Sequence, residues 1–241
     1  LSGFTSDLVL HESQYSMELF VEKYRLNKNK QFLIQAGKDD YFLPKKNNSF
    51  DFKYSNSIIV VSHLYRYKNI ESLIYAYSSF IKEGADSKLY IIGSIIDAKY
   101  YQYLIKIVEK LELGNMVIFS GLLNREDLRY VYSSCKLFVF PSFCESSAYT
   151  LIEAMSCGCI CIGTDAPGIV DILEHDYNGV LSVSCSAESI SESILFALDC
   201  DISKISTNAS NFINKNYSVN TIMLNELGLF KNSLNLEDSN G

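Results

Sequence analysis

Two carboxylates, Glu145 and Glu153, fall on either side of a strand-to-helix junction in PSFCESSAYTLIEAMSCGCICIGTDAPGIVDILEHDYNG, residues 141–179. LFVF at 137–140 reads as a short buried strand, and residues 150–156 read as the first turns of a helix packed on it. Glu145 then lies in the loop and Glu153 inside the helix. A helix start turns unpaired backbone N–H groups and a partial positive charge toward that loop, which suits a diphosphate. Two acids beside it suit sugar and ribose hydroxyls. Thr150-Leu151-Ile152-Glu153 also fits a capping box, an alternative that accounts for Glu153 but not for Glu145. Ser146, Ser147 and Ala148 are small and let backbone N–H groups approach a ligand.

Other residues with chemical potential stand at strand ends. SHLYRYKNIESL carries His63, Arg66 and Lys68 just before a helix, where a Lys ammonium can meet phosphate oxygens. A solvated loop with basic residues is the alternative. Gly93-Ser94 permits close backbone approach, although a plain turn uses the same residues, and the Phe119 to Leu123 stretch could flank a flat base. Asp199-Cys200-Asp201 has the spacing of a metal–diphosphate pair but follows a helix, so it reads as an exposed helix end and no metal is assigned. Cys157, Cys159 and Cys161 alternate with Ile160 and Ile162, the pattern of small core residues rather than of zinc ligands. His11 and His175 lack partners nearby in sequence and read as surface or capping residues.

Positioning these residues requires a particular scaffold. From residue 57 short β-branched runs alternate with amphipathic stretches: strands at 57–62, 88–93, 116–121, 137–140, 159–163 and in GVLS, with helices at 70–81, 100–111, 125–133, 150–156, 170–173 and 190–198. Apolar strands without clean alternation imply burial on both faces, and strand–helix alternation implies crossovers onto a parallel sheet. The expected fold class is α/β, a doubly wound, Rossmann-like parallel sheet, with ligands in the crevice at the carboxyl ends of its strands. The chain divides into a strand–helix–strand piece at 1–37, a linker at 38–56, the main domain at 57–210, a carboxy-terminal helical segment at 211–231 and a flexible tail at 232–241.

Composition narrows the function classes. A hydrophobic content of 48% supplies a substantial core, so the chain should be globular. The net charge of −7 argues against a general nucleic-acid binder, leaving an anionic ligand to be held locally by helix starts and a few cations. Seven Cys without a C-x-x-C pair or a secretory leader fit a reducing compartment, with the cytoplasm as default. No apolar run approaches the ~20 residues that span a bilayer. Leu1 is not an initiator methionine, and the chain reads as cut from something longer.

Taken together, these segments resemble the nucleotide-sugar-binding half of retaining glycosyltransferases of family 4, whose fold is the two-domain GT-B type. VVSHLYRYKNIESLIYAY is similar to the family's VGRL-x3-KG-x3-L-x2-A segment, KLYIIG to its glycine-ended strand, and VIFSGLL to its V-x-F-x-G base loop. Residues 141–179 are similar to PS-x2-E-x7-EA-x-A-x-G-x-P-V-I with its later G-x3-I and NG. The resemblance implies that Lys68 holds the donor pyrophosphate, Glu145 binds hydroxyls of the transferred sugar and Glu153 binds ribose hydroxyls. It further implies that the amides of Ala148, Tyr149 and Thr150 cradle the phosphates, that Phe119 and Leu123 neighbour the base, and that no metal or other cofactor is needed. His63 stands where the family usually has Arg, and Ser146-Ser147-Ala148 replaces G-F-G. The implied activity is transfer of a sugar, hexosyltransferase-like and with retention, from a nucleotide diphosphate sugar to a glycan or lipid-linked acceptor, as in polysaccharide biosynthesis. The first domain, of which 1–37 resembles only the last portion, would supply the acceptor pocket and any peripheral membrane contact, so the chain alone should transfer poorly or not at all. A donor-binding subunit that needs a partner chain, a sugar-nucleotide epimerase of the same fold, and a non-enzymatic nucleotide sensor are the alternatives.

Overall fold

The computed structural model describes residues 6, 8–34, 37–45 and 53–233. Its main sheet contains six parallel strands: β3 (Ser57–Val61), β4 (Lys88–Ile92), β5 (Val117–Gly121), β6 (Leu137–Phe140), β7 (Cys161–Thr164) and β8 (Val180–Ser182). Their spatial order is β5-β4-β3-β6-β7-β8. A separate parallel pair joins β1 (Val9–His11) to β2 (Gln31–Leu33), connected by α1 (Gln14–Tyr24). The remaining helices are α2 (Ile70–Lys82), α3 (Ala98–Lys110), α4 (Arg125–Ser134), α5 (Tyr149–Ser156), α6 (Ala187–Asp199), α7 (Ile202–Asn216) and α8 (Val219–Ser233). This is the expected α/β class, a doubly wound, Rossmann-like parallel sheet.

Strand burial explains why each central segment reads as unbroken apolar sequence. Ile58 and Val60 of β3 enter a core with Leu73 and Tyr77 of α2, Tyr100 and Leu104 of α3, and Ile190 and Ile194 of α6. Ile59 and Val61 enter the opposite core with Tyr132 of α4, Leu151 and Met155 of α5, and Ile213 of α7. Each fully buried Ile or Leu contributes about 1.5–3 kcal/mol, so both faces hold the sheet. Cys157, Cys159 and Cys161 are buried in the second core as small apolar residues.

The chain runs outward from β3 through β4 and β5, then returns to lay β6 on the other side of β3, with Ile58 opposite Leu137 and Ile59 opposite Phe138. At such a reversal the crossovers leave opposite faces, and the loops after the two central strands border a crevice.

Some local expectations are corrected. Residues 170–173 form no short helix: 170–172 are turn and 173 is irregular. The Asn178 side chain takes the Glu174 amide at 2.8 Å and donates to Ile172 O at 3.0 Å, ending the turn before a helix can propagate. His11 is buried, not on the surface: its Nε2 lies 2.8 Å from Gln31 Oε1, and its ring meets Phe20 edge-on. His175, exposed as expected, accepts the Leu181 N–H at 3.2 Å and stacks on Phe196. Asp201 caps α7 by accepting the Lys204 N–H at 3.1 Å, as a helix end should.

The carboxy-terminal helical segment is two helices, α7 and α8. Tyr217, only 2% exposed, closes the first, and Ser218 accepts the Thr221 N–H to open the second. Tyr217 O also takes the Lys38 N–H at 2.6 Å, so this segment does meet the link. Phe42 and Tyr54, from that polar-looking link, are core residues. Link residues 46–52 and tail residues 234–241 lie outside the described residues. Among the described residues no helix is long and apolar enough to cross a membrane.

Candidate functional site

The crevice is built first by backbone. Beyond the ends of β3, β4 and β5 the chains stay zipped: Ser62 N–H donates to Ile92 O, Leu64 N–H to Ser94 O and Gly93 N–H to Gly121 O, at 2.9–3.0 Å. Gly93 is required there, since a Cβ on it would stand 1.9 Å from Ser62 O and its φ is +148°. Gly93 and Ser94 are thus held against the β3 loop. Phe119 packs edge-on against Tyr101 beside the α3 core, whereas Leu123 packs against the other core. The two expected base neighbours therefore sit over opposite faces of the sheet.

Lys68 ends a 3-10 turn, Arg66–Lys68, after β3. The next residue, Asn69, adopts a left-handed backbone at φ 53° and is fully buried. Asn is among the few non-Gly residues that accept this conformation readily. Its Nδ2 donates to Pro141 O at 3.0 Å and to Cys185 O at 2.9 Å, tying the β3 loop to the β6 and β8 loops. The Phe143 N–H adds a backbone bond to Tyr67 O at 2.9 Å.

Glu145 is gripped on its other side. Its N–H donates to Pro167 O at 2.9 Å, and its carbonyl closes on Gly168, where φ is +79° and a Cβ would stand 2.1 Å from that oxygen. Thr164 Oγ1 donates to Ser142 O at 2.6 Å, anchoring the same loop to β7. These restraints bring two residues 77 positions apart into contact: Lys68 Nζ lies 2.6 Å from Glu145 Oε1. The side chains are 13% and 7% exposed, so this is a nearly desolvated ion pair flanked by the rings of Tyr67 and Phe140. A compact cation and a carboxylate at the carboxyl ends of the two central strands can neutralise an anionic group and accept from hydroxyls.

Glu153 is placed differently. α5 begins at Tyr149, so the capping-box alternative does not hold: the N-cap is Ala148, without a side-chain cap, and Thr150 Oγ1 donates to Val61 O at 3.1 Å. Glu153 lies about 6 Å along the axis from Tyr149 and turns toward α4. There its Oε2 accepts the Tyr132 hydroxyl at 3.1 Å. Burial pushes its carboxyl up to about 7, against the opposing effects of the Tyr132 bond and the Arg125 charge.

The helix-start residues have partners of their own. Tyr149 N–H donates to Ser147 O at 3.0 Å, the Ser147 hydroxyl donates to Glu12, and the Tyr149 hydroxyl reaches Glu12 Oε1 at 3.4 Å. Ala148 is buried and Thr150 half-buried at the mouth of α5, while the His63 ring is exposed in the β3 loop. Glu12, Asn69, Tyr132 and Thr164 are contributors that sequence reasoning passes over, because each acts through a partner distant in the chain. Gly168 was visible only as the first residue of G-x3-I. Among the described residues no group of three or more His, Cys, Asp or Glu is arranged to hold a metal ion.

Comparison with known proteins gives this arrangement a family. A stretch of 141 residues, 58% of the chain, is 30% identical to the serotype-specific mannosyltransferase WbdA of Escherichia coli and covers 16% of it. An uncharacterized glycosyltransferase of Haemophilus influenzae is 26% identical over 195 residues, 80% of this chain and 51% of that protein. The chain thus spans at most about half the length of these curated relatives. Among solved structures, Anabaena HepE in complex with UDP and glucose matches with a TM-score of 0.84 at 20% identity, over 94% of this chain and 64% of that one. A glycosyltransferase from Rickettsia africae gives 0.85 at 20% identity, over 100% and 65%. At such identities the structural likeness speaks to the fold. The family model for glycosyl transferases group 1 matches residues 44–218, well over half of the sequence, and the chain belongs to that family.

Proposed function

We propose that the chain is the donor-binding half of a family 4 glycosyltransferase that moves a sugar, with retention at the anomeric carbon, from a nucleotide diphosphate sugar to a glycan or lipid-linked acceptor. The observation that carries this reading is the Lys68–Glu145 contact at 2.6 Å, at the reversal of a parallel sheet where nucleotides bind. Lys68 and the start of α5 neutralise the pyrophosphate and, as the bond to the sugar breaks, the charge that grows on the leaving diphosphate. His63, exposed on the same loop, stands beside it as a further partner for the pyrophosphate. Glu145 orients the transferred sugar through its hydroxyls rather than attacking it. Glu153 accepts from the ribose, and Phe119 or Leu123 neighbours the base. Gly93 and Ser94, zipped against the β3 loop, form the floor of the crevice, and Ser147 and Ala148 lead into the amides that meet the phosphates. Departure and attack occur on one face, with a donor phosphate helping to deprotonate the acceptor, and no metal takes part.

Donor binding is the step this chain can be tested for directly. Calorimetric titration with UDP- and GDP-sugars should detect a complex that Lys68→Ala and Glu145→Ala each weaken at least tenfold. If both variants bind every such donor as the parent does, the assignment fails. The relatives named as transferases favour this reading over epimerisation.

A further inference from the structure

Glu153 occupies a place where burial disfavours its ionisation, and a hydrogen-bonding neighbour opposes that. Tyr132, 1% exposed on α4, donates to Glu153 Oε2 at 3.1 Å. Its ring is fixed edge-on between Phe42 at 5.9 Å and Phe138 at 5.7 Å, so the hydroxyl cannot swing away without disturbing the core. Burial holds the phenol well above its usual range, which keeps it a neutral donor at any working pH. A carboxylate has two oxygens, and this bond commits one of them.

We propose that Tyr132 is a positioning residue of the donor site: its hydroxyl clamps Glu153 Oε2 and leaves Oε1 as the acceptor for the hydroxyls of a ribose in a nucleoside diphosphate. The proposal rests on Glu153 as the ribose ligand and adds the group that orients it and favours its charged form. The groups facing Glu153 are few. Arg125, at the start of α4, also favours the carboxylate. Cys157, at the end of α5, is pushed up to about 12 by burial and adds no charge near neutrality. Removing the phenol oxygen therefore leaves burial opposed by Arg125 alone, and ionisation of Glu153 moves to higher pH.

The test is calorimetric titration of the chain with UDP and with GDP, which share the ribose, across a pH series, using the parent protein, Tyr132→Phe and Glu153→Gln. In the parent, affinity should fall as pH drops through about 7. In Tyr132→Phe that midpoint should rise by about one pH unit, the size of one hydrogen bond to a charged group. Glu153→Gln should bind about tenfold more weakly, with no inflection. If Glu153→Gln binds both nucleotides as tightly as the parent, the ribose assignment itself fails and takes the proposal with it. If Glu153→Gln weakens binding but the midpoint of Tyr132→Phe stays at the parent value, Tyr132 only fills the core and the proposal is overturned. Should Tyr132→Phe not fold, fluorotyrosine at position 132 keeps the ring and strengthens the donor. The midpoint should then move to lower pH, and an unchanged midpoint again overturns the proposal.

Discussion

Replacing Gly168 by alanine separates the grip on Glu145 from ordinary backbone strain. The residue sits at φ +79°, and a Cβ would stand 2.1 Å from the carbonyl oxygen of Glu145 and 2.9 Å from its carbonyl carbon. Both are backbone atoms, so no side-chain rotation relieves the overlap. Left-handed strain for an L-residue is about 1–2 kcal/mol. Displacing the loop also breaks the Glu145 N–H bond to Pro167 O and loosens packing around it, adding about 2 kcal/mol. Gly84 is the control: its φ is +92°, but a Cβ there would meet nothing within 4 Å, so its alanine variant feels the strain alone. Gly168→Ala should therefore be less stable than Gly84→Ala by about 2 kcal/mol, roughly 4–8 °C in Tm for a chain of this size. Thermal unfolding followed by circular dichroism reads the difference, and donor titration should show weaker binding for Gly168→Ala only. Equal losses of stability in the two variants would refute the claim that this glycine is needed for close approach.

Breaking the nearly buried pair should be costlier than removing both members. Lys68→Met and Glu145→Gln each leave a poorly solvated partner and should lose about 2–4 kcal/mol, while the double variant loses less than their sum by about 1–3 kcal/mol in urea unfolding. Additive losses would mean that the charges do not interact in solution. The raised carboxyl of Glu153 carries a signed pH dependence. Its folded value of about 7 lies above its ordinary 4.5, so between these values the folded state binds the extra proton. This group's contribution to stability therefore falls as pH rises through that window, by up to about 3 kcal/mol. Glu153→Gln removes the slope and should be more stable than the parent on the alkaline side and similar below about pH 4; a matching slope in both proteins would contradict the burial of this carboxyl.

The order of residues along the chain was enough to establish the sheet and the helices around it. Ile58 to Val61 and Leu137 to Phe140 are apolar at every position because both faces of a central parallel strand are covered, and that pattern has no other economical reading. It also marked Lys68 and Glu145 as residues of a strand-end loop, since the order of strands and helices places all such loops on one rim. Glu153 was legible as a helix residue, but its environment was not: the capping-box spacing is local, whereas the observed partner is a phenol on the preceding helix. The same limit hid His11, whose burial depends on pairing of β1 with β2, and the turn at 170–172, which depends on the Asn178 side chain. Contact between the ammonium of Lys68 and the carboxylate of Glu145 emerged only from the folded chain. It requires β6 to return beside β3, Asn69 to hold a left-handed turn and Gly168 to admit a carbonyl, three conditions set by packing between segments that no local pattern encodes.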